Sequence, residues 1–137
     1  MSLSDDDILS VMFRCETLGQ TYAQVALSTG FSRSAVGGIV KRARDARPQV
    51  EAARLSDNQI KIILDRLFFG RNAAESIAKD FAAMGKALTR QAVLYLAWWV
   101  MNDLHHAGPE LGTKADNADV MDWPRWWRAA QGEGVAA

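Results

Sequence analysis

Arg33, Lys41, Arg42, Arg44 and Arg47 fall in one short stretch, with Ser32 and Ser34 at its start. Guanidinium and ammonium groups this dense suit a polyanion, and an arginine fork also matches the two acceptors on a guanine edge. A run of cations on a solvated helix gives the same pattern, so the surrounding residues must decide. The remaining reactive residues are sparse. Cys15 is the only cysteine, which leaves no intrachain disulfide and no cysteine metal cluster. His105 and His106 are adjacent at the end of an apolar run, a spacing that seldom meets a metal geometry without a third ligand. No phosphate-binding glycine loop, acid pair or Ser/His/Asp set is recognisable, so the expectation is no enzyme, no cofactor and no metal.

The elements that position these cations read as helices. Ser4 caps a first helix with Asp5, Asp6 and Asp7 at its positive end, and Ile8, Val11, Met12, Cys15 and Leu18 form one apolar stripe. Gly19 ends it. Thr21 caps a short helix from Tyr22 to Thr29, and Gly30 breaks the chain. Ser32 caps a third helix from Arg33 to about Ala46, and Pro48 forces its end. Ala26 is small enough for two helices to cross, Gly30 supplies a left-handed turn, and Val25, Phe31, Val36 and Ile39 close a small core. This is the spacing of a helix-turn-helix, which leaves the start of the third helix open to a DNA major groove. Gly37-Gly38 costs helix stability, about 1 kcal/mol per glycine. That cost implies a close approach to the backbone, by DNA or by a neighbouring helix.

The stretch from Ser32 to Arg42, SRSAVGGIVKR, resembles the helix-turn-helix of bacterial regulators. It is similar to GcrA-type cell-cycle regulators and to the region-four type module of sigma factors and resolvases. The resemblance covers residues 22–44 and implies a DNA-binding module. On that reading Ser32, Arg33, Ser34, Gly37 and Lys41 face the groove, and Arg33 reads a base edge. Lys41, Arg42, Arg44 and Arg47 then hold phosphates.

The same order recurs. Leu55-Ser56-Asp57 echoes Leu3-Ser4-Asp5, Ser56 caps a helix, Gly70 ends it, Asn72 caps the next, and Thr89 caps a long one from Arg90 to about Leu104. Ile77, Ala78, Leu88, Val93 and Leu96 repeat the packing code. The fold expected is therefore all-α, with two tandem three-helix units and a tryptophan-rich tail. Residues 1–47 form the DNA-binding unit, 48–54 a linker, 55–104 a degenerate second unit, and 105–137 the tail. The nine residues from Ala46 to Arg54, if extended, span at most ~30 Å. The last helix of the second unit is apolar all round, which suits burial or self-association; a second DNA reader using Lys86, Arg90 and Gln91 is the alternative. Tyr95, Trp98, Trp99, Trp123, Trp126 and Trp127 are the candidate interface residues, the last three folding back on Trp98 and Trp99 or reaching a partner. Gly108-Pro109 and residues 112–119 read as loop, and 131–137 as a frayed end.

Charge supports the division. The 137 residues carry 16 basic and 16 acidic groups, yet residues 30–55 hold six of the cations against only Asp45 and Glu51. No apolar run reaches the roughly 18 residues of a membrane span, and the acidic start lacks the form of a secretory signal. A cytoplasmic protein is expected. Its partners would be double-stranded DNA and a second copy, a dimer being favoured, with RNA polymerase or another phage or bacterial protein as a further partner. The function expected is a bacterial or phage transcription regulator. The alternatives are a phage small terminase subunit, a recombination accessory protein, and an interaction module using the motif as scaffold.

Overall fold

In the computed structural model, residues 3–107 and 122–131 are described, and among them all regular structure is helical. The helices are α1 (Asp5–Met12), α2 (Tyr22–Thr29), α3 (Arg33–Asp45), α4 (Arg47–Ala53), α5 (Asp57–Leu64), α6 (Ala74–Ala83), α7 (Arg90–Ala107) and α8 (Trp123–Ala130). Reciprocal capping starts three of them. Ser4 Oγ accepts from Asp7 N at 3.0 Å while Ser4 N donates to Asp7 Oδ2 at 3.3 Å. Thr21 with Gln24 and Ser56 with Gln59 do the same, so two orphan N–H groups are met at each start. Gly30 takes φ +83°, which turns the chain between α2 and α3.

The order of elements in the first half recurs along the backbone of the second. Each of α1 and α5 runs unbroken into a π-helical turn, Phe13–Thr17 and Asp65–Phe69. Both helices, both turns and the starts of α2 and α6 are displaced by 52 residues. The bond from Gln20 N to Arg14 O returns as Asn72 N to Arg66 O. The left-handed residue Gly19 returns as Arg71, at φ +54°. A longer turn then delays α7, which starts 57 residues after α3.

Three expectations need correction. Residues 48–54 are no extended linker: Arg47–Ala53 is helical, with Val50 and Ala53 buried. Ala46 is the joint, and Pro48 sits in the first turn of α4, where its missing N–H leaves nothing unpaired. Asn72 does not cap α6. Ala73 holds that position, and the carboxylate of Asp5 reaches across from α1 to accept from Ala74 N at 2.8 Å. The segment 105–137 is no separate tail in its described parts. His105 to Ala107 complete α7, and α8 docks on the core through Trp123, Trp126 and Trp127. Residues 108–121 and 132–137, expected as loop and frayed end, lie outside the described residues.

The buried apolar residues of both halves form one continuous core. α7 is its axis, packing on α1, α3, α4, α6 and α8. Residues 92–97 are all buried, because a helix apolar on every side is satisfied only when surrounded. The divisions at residues 47 and 55 thus do not separate two hydrophobic cores. Among the described residues no helix is long and apolar enough to cross a membrane.

Candidate nucleic-acid interface

α3 buries Val36, Ile39, Val40 and Ala43 and turns its opposite face outward. Val25 of α2 is fully buried against this core, and Phe31 at the turn is half-buried. Thr29 serves the turn with its hydroxyl, donating to Val25 O at 2.7 Å and accepting from Phe31 N at 3.4 Å.

The outward face is unevenly equipped. Arg33 and Ser34 stand exposed in the first turn of α3, and Arg33 has no ion-pair partner among the described residues. Ser32 is also exposed, but its hydroxyl is engaged as the cap, accepting from Ala35 N at 3.0 Å. Arg42 is exposed and has no ion-pair partner among the described residues, with its guanidinium lying beside Gly38; a Cβ there would stand 3.1 Å from Arg42 Nη1. Three of the expected phosphate-binding cations already hold carboxylates. Lys41 pairs with Asp45 at 2.9 Å, Arg44 with Glu16 of the first π-turn, and Arg47 with Glu51 at 3.3 Å. Gly37 is half-buried. The ring of Tyr22 on α2 lies against it, and a Cβ would meet Tyr22 Cε2 at 3.3 Å. The close approach that this glycine permits is made by a neighbouring helix.

The second half presents no such face. Arg90, which stands where Arg33 does in the first half, pairs with Asp5 at 2.8 Å and donates to Leu3 O at 2.7 Å. Lys86 Nζ donates to Ala53 O at 2.9 Å. The alternative of a second reading helix built on Lys86, Arg90 and Gln91 therefore finds both cations tied to the first half and α4.

Of the six aromatic interface candidates, only Trp99 is substantially exposed, at 44%. Tyr95 is buried, and burial raises its pKa, with Arg47 opposing the rise and Glu51 and Glu16 adding to it. Trp98 is half-buried and donates from Nε1 to Thr17 Oγ1 at 3.0 Å. Trp123 and Trp126 pack on Phe13 with ring centroids 5.3 and 5.5 Å away, and Trp127 Nε1 donates to Asp65 Oδ1 at 2.7 Å. The C-terminal tryptophans thus bridge the two π-turns. Among the described residues no ring contact joins them to Trp98 or Trp99.

His105 packs edge-on against Phe13, with ring centroids 5.4 Å apart. Burial pushes the Cys15 thiol up to about 11, with Glu16 adding to the rise and Arg44 opposing it. The side chain is half-buried and packs against the core. Glu16, Glu51 and Asn102 were not among the expected site residues, although they border the basic stretch and the aromatic residues. The i,i+4 spacing of Arg47 and Glu51 was visible; the pairing of Arg44 with Glu16 depends on how α3 crosses the first π-turn.

Compared with protein-family models, with curated proteins and with solved structures, the chain matches none.

Proposed function

We propose that this protein binds double-stranded DNA through the outward face of α3 and acts as a bacterial or phage transcription regulator in the cytoplasm. The observation that carries the reading is the state of Arg33: exposed, without an ion-pair partner among the described residues, and in the first turn of a capped helix that follows a left-handed glycine turn. In a helix-turn-helix that position reaches base edges. Arg33 reads a base, with Ser34 beside it. Arg42 holds a phosphate directly. Lys41, Arg44 and Arg47 join by exchanging an exposed carboxylate for a phosphate, which is easy because exposed ion pairs are weak. The protein's work is binding rather than catalysis. A symmetric dimer would set two α3 helices one DNA turn apart.

The test is binding to a selected DNA duplex by gel shift. Arg33→Ala should lose about 1–3 kcal/mol on the preferred sequence and little on others. Arg42→Ala should weaken all sequences alike and flatten the salt dependence. If both variants bind every duplex as the wild type does, α3 does not meet DNA.

A further inference from the structure

Two adjoining cavities, of about 250 and 360 Å³, share Arg47, Tyr95 and Trp98. The first lies between α4 and α7 and is also lined by Val50, Glu51, Trp99 and Asn102. The second opens toward α1, the first π-turn and α3, and is also lined by Met12, Glu16 and Arg44. Their sizes lie near the lower end of small-molecule sites, roughly 300–1,000 Å³.

The lining groups differ in what they offer. The rings of Tyr95 and Trp98 stand 5.5 Å apart at 49°, and the exposed indole of Trp99 borders the same cavity. These are faces for a planar ring. Arg47 provides a guanidinium group that matches a phosphate, and Arg44 adds the edge of its guanidinium that Glu16 does not hold. Glu51 is an acceptor. Asn102 has its Oδ1 engaged by Thr17 Oγ1 at 2.8 Å, so its amide N–H groups are what it has left to give. A purely apolar occupant would bury the Arg47–Glu51 pair and strip its hydration without compensation. A ring that carries hydrogen-bonding edges and a tethered anion uses the faces of Trp98 and Trp99, the carboxylate of Glu51, the amide of Asn102 and the guanidinium of Arg47.

We propose that this cleft binds a single unstacked nucleotide. The base lies in the first cavity against Trp98 and Trp99, Glu51 accepts from its exocyclic amino group, and Asn102 donates to a ring acceptor. The phosphate lies in the second cavity on Arg44 and Arg47. Arg47 and Glu51 separate to do this, which costs little because both side chains are mostly exposed, 66% and 61%. The inference shares Arg44 and Arg47 with the duplex reading, but Trp99, Glu51 and Asn102 play no part in that reading and Arg33 plays none in the cleft.

The experiment is calorimetric titration of the full chain with the 5′-monophosphates of adenosine, guanosine, cytidine and thymidine. Saturable binding is expected, weakest for thymidine, whose base lacks an exocyclic amino group. Trp99→Ala and Arg47→Gln, each checked for native helicity, should each weaken binding by roughly tenfold, in keeping with the loss of one stacking partner or one phosphate contact. Glu51→Gln should erase the discrimination against thymidine. Arg33→Ala should bind nucleotide as the wild type does, whatever it does to duplex binding. A single-stranded decamer then identifies the source. Binding much tighter than the mononucleotide means a strand supplies the nucleotide, and equal or weaker binding means a free nucleotide does; both support the site. No heat from any of the four at millimolar concentration, or identical affinities in Trp99→Ala, Arg47→Gln and wild type, would overturn it.

Discussion

Lys41 stands on the outward face of α3 but is held by Asp45 at 2.9 Å, with both side chains largely exposed. Asp45→Asn frees the lysine and removes the acid from the surface that would meet phosphates. Two contributions favour DNA. The exposed i,i+4 pair is worth about 0.3–0.5 kcal/mol, which no longer opposes the turn of Lys41 toward a phosphate. A carboxylate about 8 Å from a phosphate across water adds a repulsion of ~0.5 kcal/mol, which also disappears. Together they make about 0.8–1 kcal/mol, or roughly four- to fivefold tighter binding. The dependence of log K on log salt should steepen, by up to ~0.9 if Lys41 newly neutralises one phosphate. Fluorescence anisotropy of a labelled duplex at several salt concentrations reads both quantities. Asp57→Asn is the control, since it makes the same charge change at an exposed residue at the start of α5 that has no ion-pair partner among the described residues. If Asp45→Asn binds no tighter than wild type at any salt, or Asp57→Asn gains as much, the outward face of α3 is not where the phosphates lie.

Stability distinguishes the two halves by the same logic. Asp5→Ala removes the cap of α6 and the partner of Arg90, and should lower the unfolding free energy in urea by about 2–3 kcal/mol; Asp57→Ala should stay within about 0.5 kcal/mol, and equal losses would refute the bridging role of Asp5. Burial pushes the Asp65 carboxyl up, but hydrogen bonds from Lys61 and Trp127 and the charge of Lys61 outweigh it and hold the pKa below 3.8. The stability it contributes is therefore complete above that value and lost as pH falls through the lower folded value. Trp127→Phe should cost about 1.5–3 kcal/mol at neutral pH, and the gap to wild type should narrow in acid urea titrations below pH ~3.8; a gap independent of pH would mean the Asp65 bond contributes nothing. Cys15, with its thiol pushed up to about 11, should resist iodoacetamide at pH 8 in the native protein and react readily in denaturant, and equal rates in the two would refute its burial.

What the sequence reveals depends on the distance over which an interaction acts. Ser4, Thr21, Ser32 and Ser56 were legible as caps because each bonds a backbone N–H three residues away. Gly30 was legible because a left-handed turn between two capped helices has few other solutions. The π-turns left no local signature, since they shift the hydrogen bond by one residue without changing which types are apolar. Pro48 was read only as the end of α3, although a proline there begins a helix as readily as it ends one. The capping of α6 by Asp5 and the seating of Trp127 on Asp65 join residues 69 and 62 apart. No local rule selects such partners; the packing of α1, α7 and α8 does.

The repeated backbone shows why residue type alone does not mark a site. Arg33 and Arg90 each open a capped helix at the corresponding place in the two halves. One is exposed without an ion-pair partner among the described residues, while the other is locked between Asp5 and Leu3 O. The difference arises from their surroundings. The apolar faces of α7 draw it into the centre, where the start of α1 closes over Arg90 and Ala74. α3 lacks those apolar faces: in place of Leu94, Tyr95, Trp98 and Trp99 it carries Gly37, Gly38, Lys41 and Arg42. It therefore stays at the surface with its first turn open. Converting Gly38 and Arg42 to large apolar residues would push α3 toward the fate of α7; the missing side chain of the one and the charge of the other keep α3 at the surface, with Arg33 exposed.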